Sequence, residues 1–246
     1  MVVLWVGTLF LVKKTITEEK RTDRQKYSII WEAEQMETVF ENHWEKLGKY
    51  AVEALNKNGF KAQYAPNEAA ALTAVLELID KSATVGMGGS HTMDDLGVLN
   101  ALQQRGNMVF NHQGLSKEEA FKVRRQEITA DVFLSGANAV TLEGELVNVD
   151  GSGNRVAALA FGPRKVIVVA GANKIVKDEA AARERIKMLA APLNADRLQR
   201  KTPCRATGMC MDCHSPERIC NVTTITHRPL TYAEIHVVIV GESLGY

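Results

Sequence analysis

Residues 136–174, GANAVTLEGELVNVDGSGNRVAALAFGPRKVIVVAGANK, decide the fold. Residues 165–170 (KVIVVA) are a continuous apolar run of strand length. A half-exposed strand alternates; a continuous run marks a strand buried on both faces, as in a parallel sheet. A second apolar run, 139–149, precedes it and brings Glu143, Glu145 and Asn148 to one place. Between the two, Asp150-Gly151-Ser152-Gly153 has turn composition, and Asn154 is suited to cap a short helix over 155–161. A helix that starts after a glycine-rich turn leaves amide N–H groups for an anion. Gly153, Asn154 and Arg155 are therefore ligand-binding candidates, and the stretch reads as the floor of a ligand site.

Upstream, strand and helix patterns alternate. A long helix capped by Thr15 or Thr17 is expected to run to about residue 58, closed by Asn58-Gly59. Trp31, Phe40, Trp44, Leu47, Val52 and Leu55 recur at near-helical spacing, so one face is apolar and meets either the core or a second copy in a homodimer. Strands follow over 60–64, 84–87, 107–111 and 131–135. Helices lie between them: one capped by Asn67, one over 93–104, and one opened by the capping box Ser116-Lys117-Glu118-Glu119. The β-α-β-α order predicts an α/β fold, a doubly wound, mostly parallel sheet with a long N-terminal helix and a C-terminal cysteine-rich loop. Downstream, a helix over 178–190 is expected to break at Pro192, with another turn or two over 195–201 and a last strand over 236–241.

With 246 residues, 46% of them hydrophobic, the chain can bury a full core. A single domain over 17–246 is expected, with 1–16 as an extension. Lysine and arginine (30) nearly balance aspartate and glutamate (29), and aromatics are 6%, so nothing points to nucleic acid. The apolar start over 1–12 is well short of the roughly 20 residues that span a bilayer and lacks the marks of a secretory signal. No stable membrane span and a cytoplasmic location are the expectation.

Two further stretches carry chemistry. Gly86, Gly88 and Gly89 follow a strand and precede a helix, with Ser90 and Thr92 as hydroxyl donors, which allows a phosphate or carboxylate to approach the backbone. The spacing is neither the P-loop nor the dinucleotide fingerprint. A purely structural turn, with Thr92 as N-cap and Asp95 completing a capping box, explains the same residues. His91 is a candidate general acid or base there. Glu143 and Glu145, two apart on an extended segment, share a face. Glu145 is the candidate reactive carboxylate, and Asn138 and Asn148 are candidates to hold ligand polar groups.

Cys204, Cys210, Cys213 and Cys220 fall within 17 residues in a C-x5-C-x2-C-x6-C pattern, inside a loop over 203–221. Clustering of this kind points to a metal before disulfides: zinc, or the corners of a 4Fe–4S cluster, with His214 as a substitute ligand. Free thiols, or a redox disulfide between Cys210 and Cys213, fit the same spacing.

Residues 85–97 (VGMGGSHTMDDLG), 130–174 and the tail 202–221 (TPCRATGMCMDCHSPERICN) resemble the LUD-domain family, the lactate-utilisation proteins of bacteria. The resemblance covers roughly 34–241. It implies a fold similar to that of ribose-5-phosphate isomerase and the CoA transferases, in which the loop after an early strand grips phosphate or CoA, a role that falls on Gly86 to Thr92. A more distant similarity, through Gly136-Ala137-Asn138 and Gly144-Glu145-Leu146-Val147-Asn148, leads to the sugar-phosphate isomerases related to methylthioribose-1-phosphate isomerase. There a Gly-Asp pair supplies the catalytic acid; here Glu145 replaces the aspartate. The better-known members of that family act with iron–sulfur partner proteins in oxidising L-lactate to pyruvate. The resemblance thus implies a small anionic ligand and service in the oxidation of lactate or a related organic acid. A stand-alone transferase or isomerase of a sugar phosphate or CoA ester is the second expectation, and a non-catalytic redox or metal-sensing module the third.

Overall fold

The computed structural model describes residues 23–246, with side chains at 36 and from 38 onward. The expected extension over 1–16, the caps at Thr15 and Thr17, and the Trp31 side chain lie outside the described residues. The chain divides into two compact units, 1–44 and 45–246. In the first, the rings of Phe40 and Trp44 pack at 6.3 Å on helix α1 (Asp23–Lys57), which continues into the second unit. Among the described residues no helix is long and apolar enough to cross a membrane.

The second unit is built on six parallel strands in the order β1-β10-β7-β4-β2-β3. They are β1 (Lys61–Ala65), β2 (Val85–Met87), β3 (Val109–Asn111), β4 (Val132–Gly136), β7 (Lys165–Gly171) and β10 (Glu234–Val240). Strand β7 is buried from Val166 to Gly171, as its unbroken apolar run requires. Ile167 and Val169 face one layer, with Val75, Met93 and Leu102. Val166, Val168 and Ala170 face the other, with Ala51, Leu55 and Leu159. The first layer holds α2 (Glu68–Glu77), α3 (His91–Asp95) and α4 (Val98–Arg105); the second holds the end of α1 and α6 (Asn154–Phe161). Helix α5 (Lys117–Ile128) joins β3 to β4, and its Ser116–Glu119 capping box forms as expected. Asn67 caps α2, accepting from the Ala70 amide.

Three expectations change. The run over 139–149 is not one strand but two, β5 (Ala139–Thr141) and β6 (Leu146–Asp150), antiparallel in a second sheet of order β8-β5-β6-β9. Strands β8 (Ile175–Val176) and β9 (Val222–Thr226) complete it. The turn between β5 and β6 needs Gly144 in the left-handed region, φ +81°, with its Cα pressed on Ala54. Glu143 and Glu145 therefore flank a reversal and do not share an extended face. Second, residues 93–104 form α3 and α4 separately, because Gly97 turns left-handed between them.

Third, Pro192 does not stop its helix. Helix α7 (Glu179–Arg185) passes through a π-turn (Ile186–Ala190) into α8 (Ala191–Arg197). In π geometry the carbonyl that residue 192 would engage is that of Lys187. Pro192 has no N–H to offer, and the Cys210 amide, from the cysteine loop, takes that carbonyl at 2.9 Å.

Candidate functional site

All six strands of the main sheet run the same way, so their carboxyl ends open at one edge, where ligands sit in open parallel sheets. A cavity of about 810 Å³ lies there. Ser90 and Thr92 reach it from after β2, His112 from after β3, Asn138 from after β4, Lys174 from after β7 and Tyr246 from after β10. Its other wall is Asp150, Gly151, Ser152, Asn154, Arg155 and the end of α8, with Ile219 of the cysteine loop; Gly153 does not line it.

Six cations line the cavity: Lys117, Arg124, Arg155, Lys174, Arg197 and Arg200. Among the described residues Asp150 is the only lining side chain with a carboxylate, and none of the six cations is within 4.0 Å of an aspartate or glutamate oxygen. The Asp150 carboxylate is spent on backbone amides, accepting from Ser152, Arg155 and Val156. That overturns one expectation. Gly153, not Asn154, is the N-cap of α6, and the amides expected to await an anion are taken by Asp150.

Arg155 is the organiser of the wall. It donates to the Gly136 carbonyl, Asn148 Oδ1, Asn138 Oδ1 and the Val149 carbonyl at 2.7–3.1 Å. Asn148 is fully buried and its amide nitrogen has no partner. It lies behind the wall and does not line the cavity.

Lys174 stands out. Only 3% exposed, it donates from Nζ to Thr92 Oγ1 at 2.6 Å. Burial, with Arg185 and Arg155 adding to it, pulls its ammonium down to about 7, and Asp95 only partly opposes this. Burial also lowers Arg185, to about 10, and one of its terminal nitrogens is buried without a partner. Such a cluster of buried cations is costly unless a negative group joins it. Sequence reasoning passed over Lys174, His112, Glu127 and Arg185. The signal for Lys174 was available: a lysine three residues past the end of a fully apolar strand sits at the ligand edge.

The family profile of the LUD domain matches residues 49–240, most of the chain. The chain belongs to the LUD domain family. The match lies inside the second unit, which holds the sheet and the cavity. Among solved structures, this LUD domain is similar to a DUF162 family protein from Deinococcus radiodurans, at 14% identity over 80% of this chain and 98% of that one, with a TM-score of 0.49. It is also similar to eIF2B delta from Chaetomium thermophilum, at 20% identity over 46% of this chain and 50% of that one, with a TM-score of 0.33. No curated protein matches.

The glycine loop of the LUD domain divides its labour. Gly89, Ser90, His91 and Thr92 line the cavity. Gly88 is buried, and an added Cβ would lie 3.7 Å or more from Phe133 and Arg155. Gly86 is buried inside β2, pressed against the backbone of Glu127. Ser90, not Thr92, holds the N-cap position of α3, and Asp95 completes no capping box. Asp95 instead accepts from the Gly245 amide and pairs with His91 Nδ1 at 2.9 Å. The His91 ring meets Tyr246 edge-on.

Glu145 lies elsewhere. It does not line the cavity; its carboxylate accepts from Thr141 Oγ1 and sits 2.6 Å from His227 Nδ1. The cysteine loop lies beside the cavity, since Asn221 binds the Asp150 and Gly151 carbonyls. Arg218 holds the loop by donating to the Cys213 carbonyl and to Cys220 Sγ. Burial raises the Cys220 thiol, with Arg218 opposing and Cys210 and Cys213 adding. Cys213, His214 and Cys220 line a second, smaller cavity of about 450 Å³. The donor chemistry suits a metal, but among the described residues no three His, Cys, Asp or Glu side chains converge on a metal position.

Proposed function

We propose that this LUD domain holds a small organic anion in the 810 Å³ cavity, in the service of oxidising L-lactate or a related organic acid alongside iron–sulfur partner proteins. The observation that carries the anion is the set of six lining cations with, among the described residues, no carboxylate side chain paired to them. Family membership supports a lactate-utilisation-type domain. In this reading Ser90 and Thr92 supply hydroxyls, Lys174, Arg197 and Arg200 neutralise the ligand, and Arg155 with Asn138 and Asn148 keeps the wall in shape. His91, paired with Asp95, is the proton carrier nearest the glycine loop; Glu145 would serve only a ligand reaching the β5–β6 turn.

Cavity volume favours a second reading. About 810 Å³ is toward the upper end for small-molecule sites, well beyond what lactate fills. A sugar phosphate would fill more of that space than lactate, and a CoA ester most of it. Calorimetric titration with L-lactate, ribose 5-phosphate and acetyl-CoA separates the two. The first reading expects L-lactate to bind; tighter binding of either phosphorylated compound selects the second. In both, Arg197→Ala with Arg200→Ala should weaken binding by about tenfold or more, since a hydrogen bond to a charged group contributes roughly 1.5–3 kcal/mol. Absence of binding by all three at millimolar concentration contradicts both.

The cysteine loop enters as a zinc or 4Fe–4S site on Cys204, Cys210, Cys213 and Cys220, which the chemistry of four clustered thiols supports. Protein purified without oxygen should carry one zinc, or iron with visible colour. Metal-free protein with four titratable thiols contradicts this and leaves the loop as a thiol redox or sensing element.

A further inference from the structure

We propose that His112, oriented by Glu127, is a second proton-transfer group of the cavity, besides His91. The proposal rests on the reading that the cavity binds an anion. His112 follows β3 directly and its ring lines the cavity, with its side chain 13% exposed. Nδ1 lies 2.6 Å from Glu127 Oε1, and the His112 backbone amide donates to the same oxygen. One carboxylate oxygen thus holds both the backbone and the ring. With Nδ1 engaged, Nε2 is the ring nitrogen left for a ligand, and it has no protein partner among the described residues.

Glu127 is 1% exposed, and its second oxygen is buried with no partner among the described residues. An incompletely bonded carboxylate inside the fold is expensive, and an apolar side chain would fill the place at lower cost. The main chain has been shaped to admit it. Gly86 lies so close to α5 that an added Cβ would come within 2.4 Å of the Glu127 carbonyl oxygen. The glycine allows β2 and α5 to approach until the carboxylate sits under His112. On the same helix face, one turn earlier, Arg124 lines the cavity with its Nε buried and unpartnered. A base held by a buried carboxylate beside an unneutralised guanidinium is the arrangement needed to take a proton from a bound anion.

The step balances as a proton transfer. A C–H or O–H proton of the ligand passes to Nε2, leaving an imidazolium paired with the Glu127 carboxylate; the reverse step returns it to the ligand. Glu127 is a positioning residue, because it acts only through the ring.

Two measurements test this. In 15N-histidine-labelled, ligand-free protein, His112 should show a protonated Nδ1 and a lone-pair Nε2, and Glu127→Gln should shift that tautomer. A protonated Nε2 overturns the proposal, whatever binds. In D2O, pyruvate and ribose 5-phosphate are followed by 1H NMR for exchange at the carbon beside the carbonyl. The expected result is exchange at least about 100-fold faster with wild type than with His112→Gln, the usual range for general acid–base catalysis, with affinity for the probe within about threefold. A probe that binds wild type but exchanges no faster than with His112→Gln overturns the proposal while leaving the anion reading intact. Failure of both probes to bind counts against the anion reading, and the tautomer still decides the dyad. Should His112→Gln not fold, Glu127→Gln carries the same exchange measurement, with an intermediate rate expected.

Discussion

Lys174→Met is expected to stabilise the ligand-free protein by roughly 1–4 kcal/mol at pH 7 while strongly weakening anion binding. The unfolded chain restores the lysine to its ordinary value near 10.5, whereas burial and the neighbouring guanidiniums hold it at about 7 in the fold. Between those two values the unfolded state binds more protons than the folded state, so this group's cost to stability falls as pH rises from about 7 to 10.5. Below pH 7 the full cost is present, on the order of 1.4 kcal/mol for every tenfold loss of proton affinity. Methionine keeps the length of the side chain and removes the charge, and loses about 1 kcal/mol with the bond to Thr92. Melting temperature should therefore rise by several degrees at pH 7, and the gap should close towards pH 10. A variant less stable than wild type at both pH values would show that the ammonium is not confined as described. The exchange of stability for ligand binding is common where a cavity is built for charge.

Gly86→Ala is expected to cost roughly 3 kcal/mol or more, read as a fall in the denaturation midpoint. The methyl would meet the Glu127 carbonyl carbon, oxygen and Cα, all within 2.9 Å, and backbone cannot step aside as a flexible side chain does. Relief requires α5 to move outward, carrying Glu127 away from His112, so the 15N signals of His112 should change with it. A loss under about 1 kcal/mol would mean that the β2–α5 contact yields and that the glycine was selected for the loop instead.

That glycine shows where the sequence was legible and where it was not. The order of the six main-sheet strands and the helices between them, the buried β7 and the caps at Asn67 and Ser116 were readable, because periodicity and capping are local; β8 and β9 of the second sheet were not read. Gly86 read as a ligand contact because a glycine at a strand end suits both a phosphate and a helix backbone; only α5, about 40 residues away, decides between them. Asp150 looked like part of a turn, and its occupation of the α6 amides depends on a side-chain rotamer that composition does not encode. Glu145 drew attention through its pairing with Glu143, but Gly144 reverses the chain between them. Pro192 read as a breaker because the π-turn and the Cys210 amide that absorb it are tertiary events. Lys174, His112 and Glu127 are single residues in unremarked positions. Lys174 and His112 converge because parallel strands end at one edge, and Glu127 reaches them from α5 through the Gly86 contact; the topology fixes both and no short motif reports them.

The most direct test of the anion site is the proton count on binding. Wild type and Lys174→Met are titrated at pH 8 with L-lactate and ribose 5-phosphate in two buffers of different ionisation heat. Wild type should take up close to one proton per anion bound, because a lysine near 7 is mostly neutral beforehand and the anion restores its charge. Lys174→Met should take up none and bind far more weakly. Binding without proton uptake, or binding that survives Lys174→Met unchanged, would contradict the assignment of this cavity as an anion site built on a buried lysine.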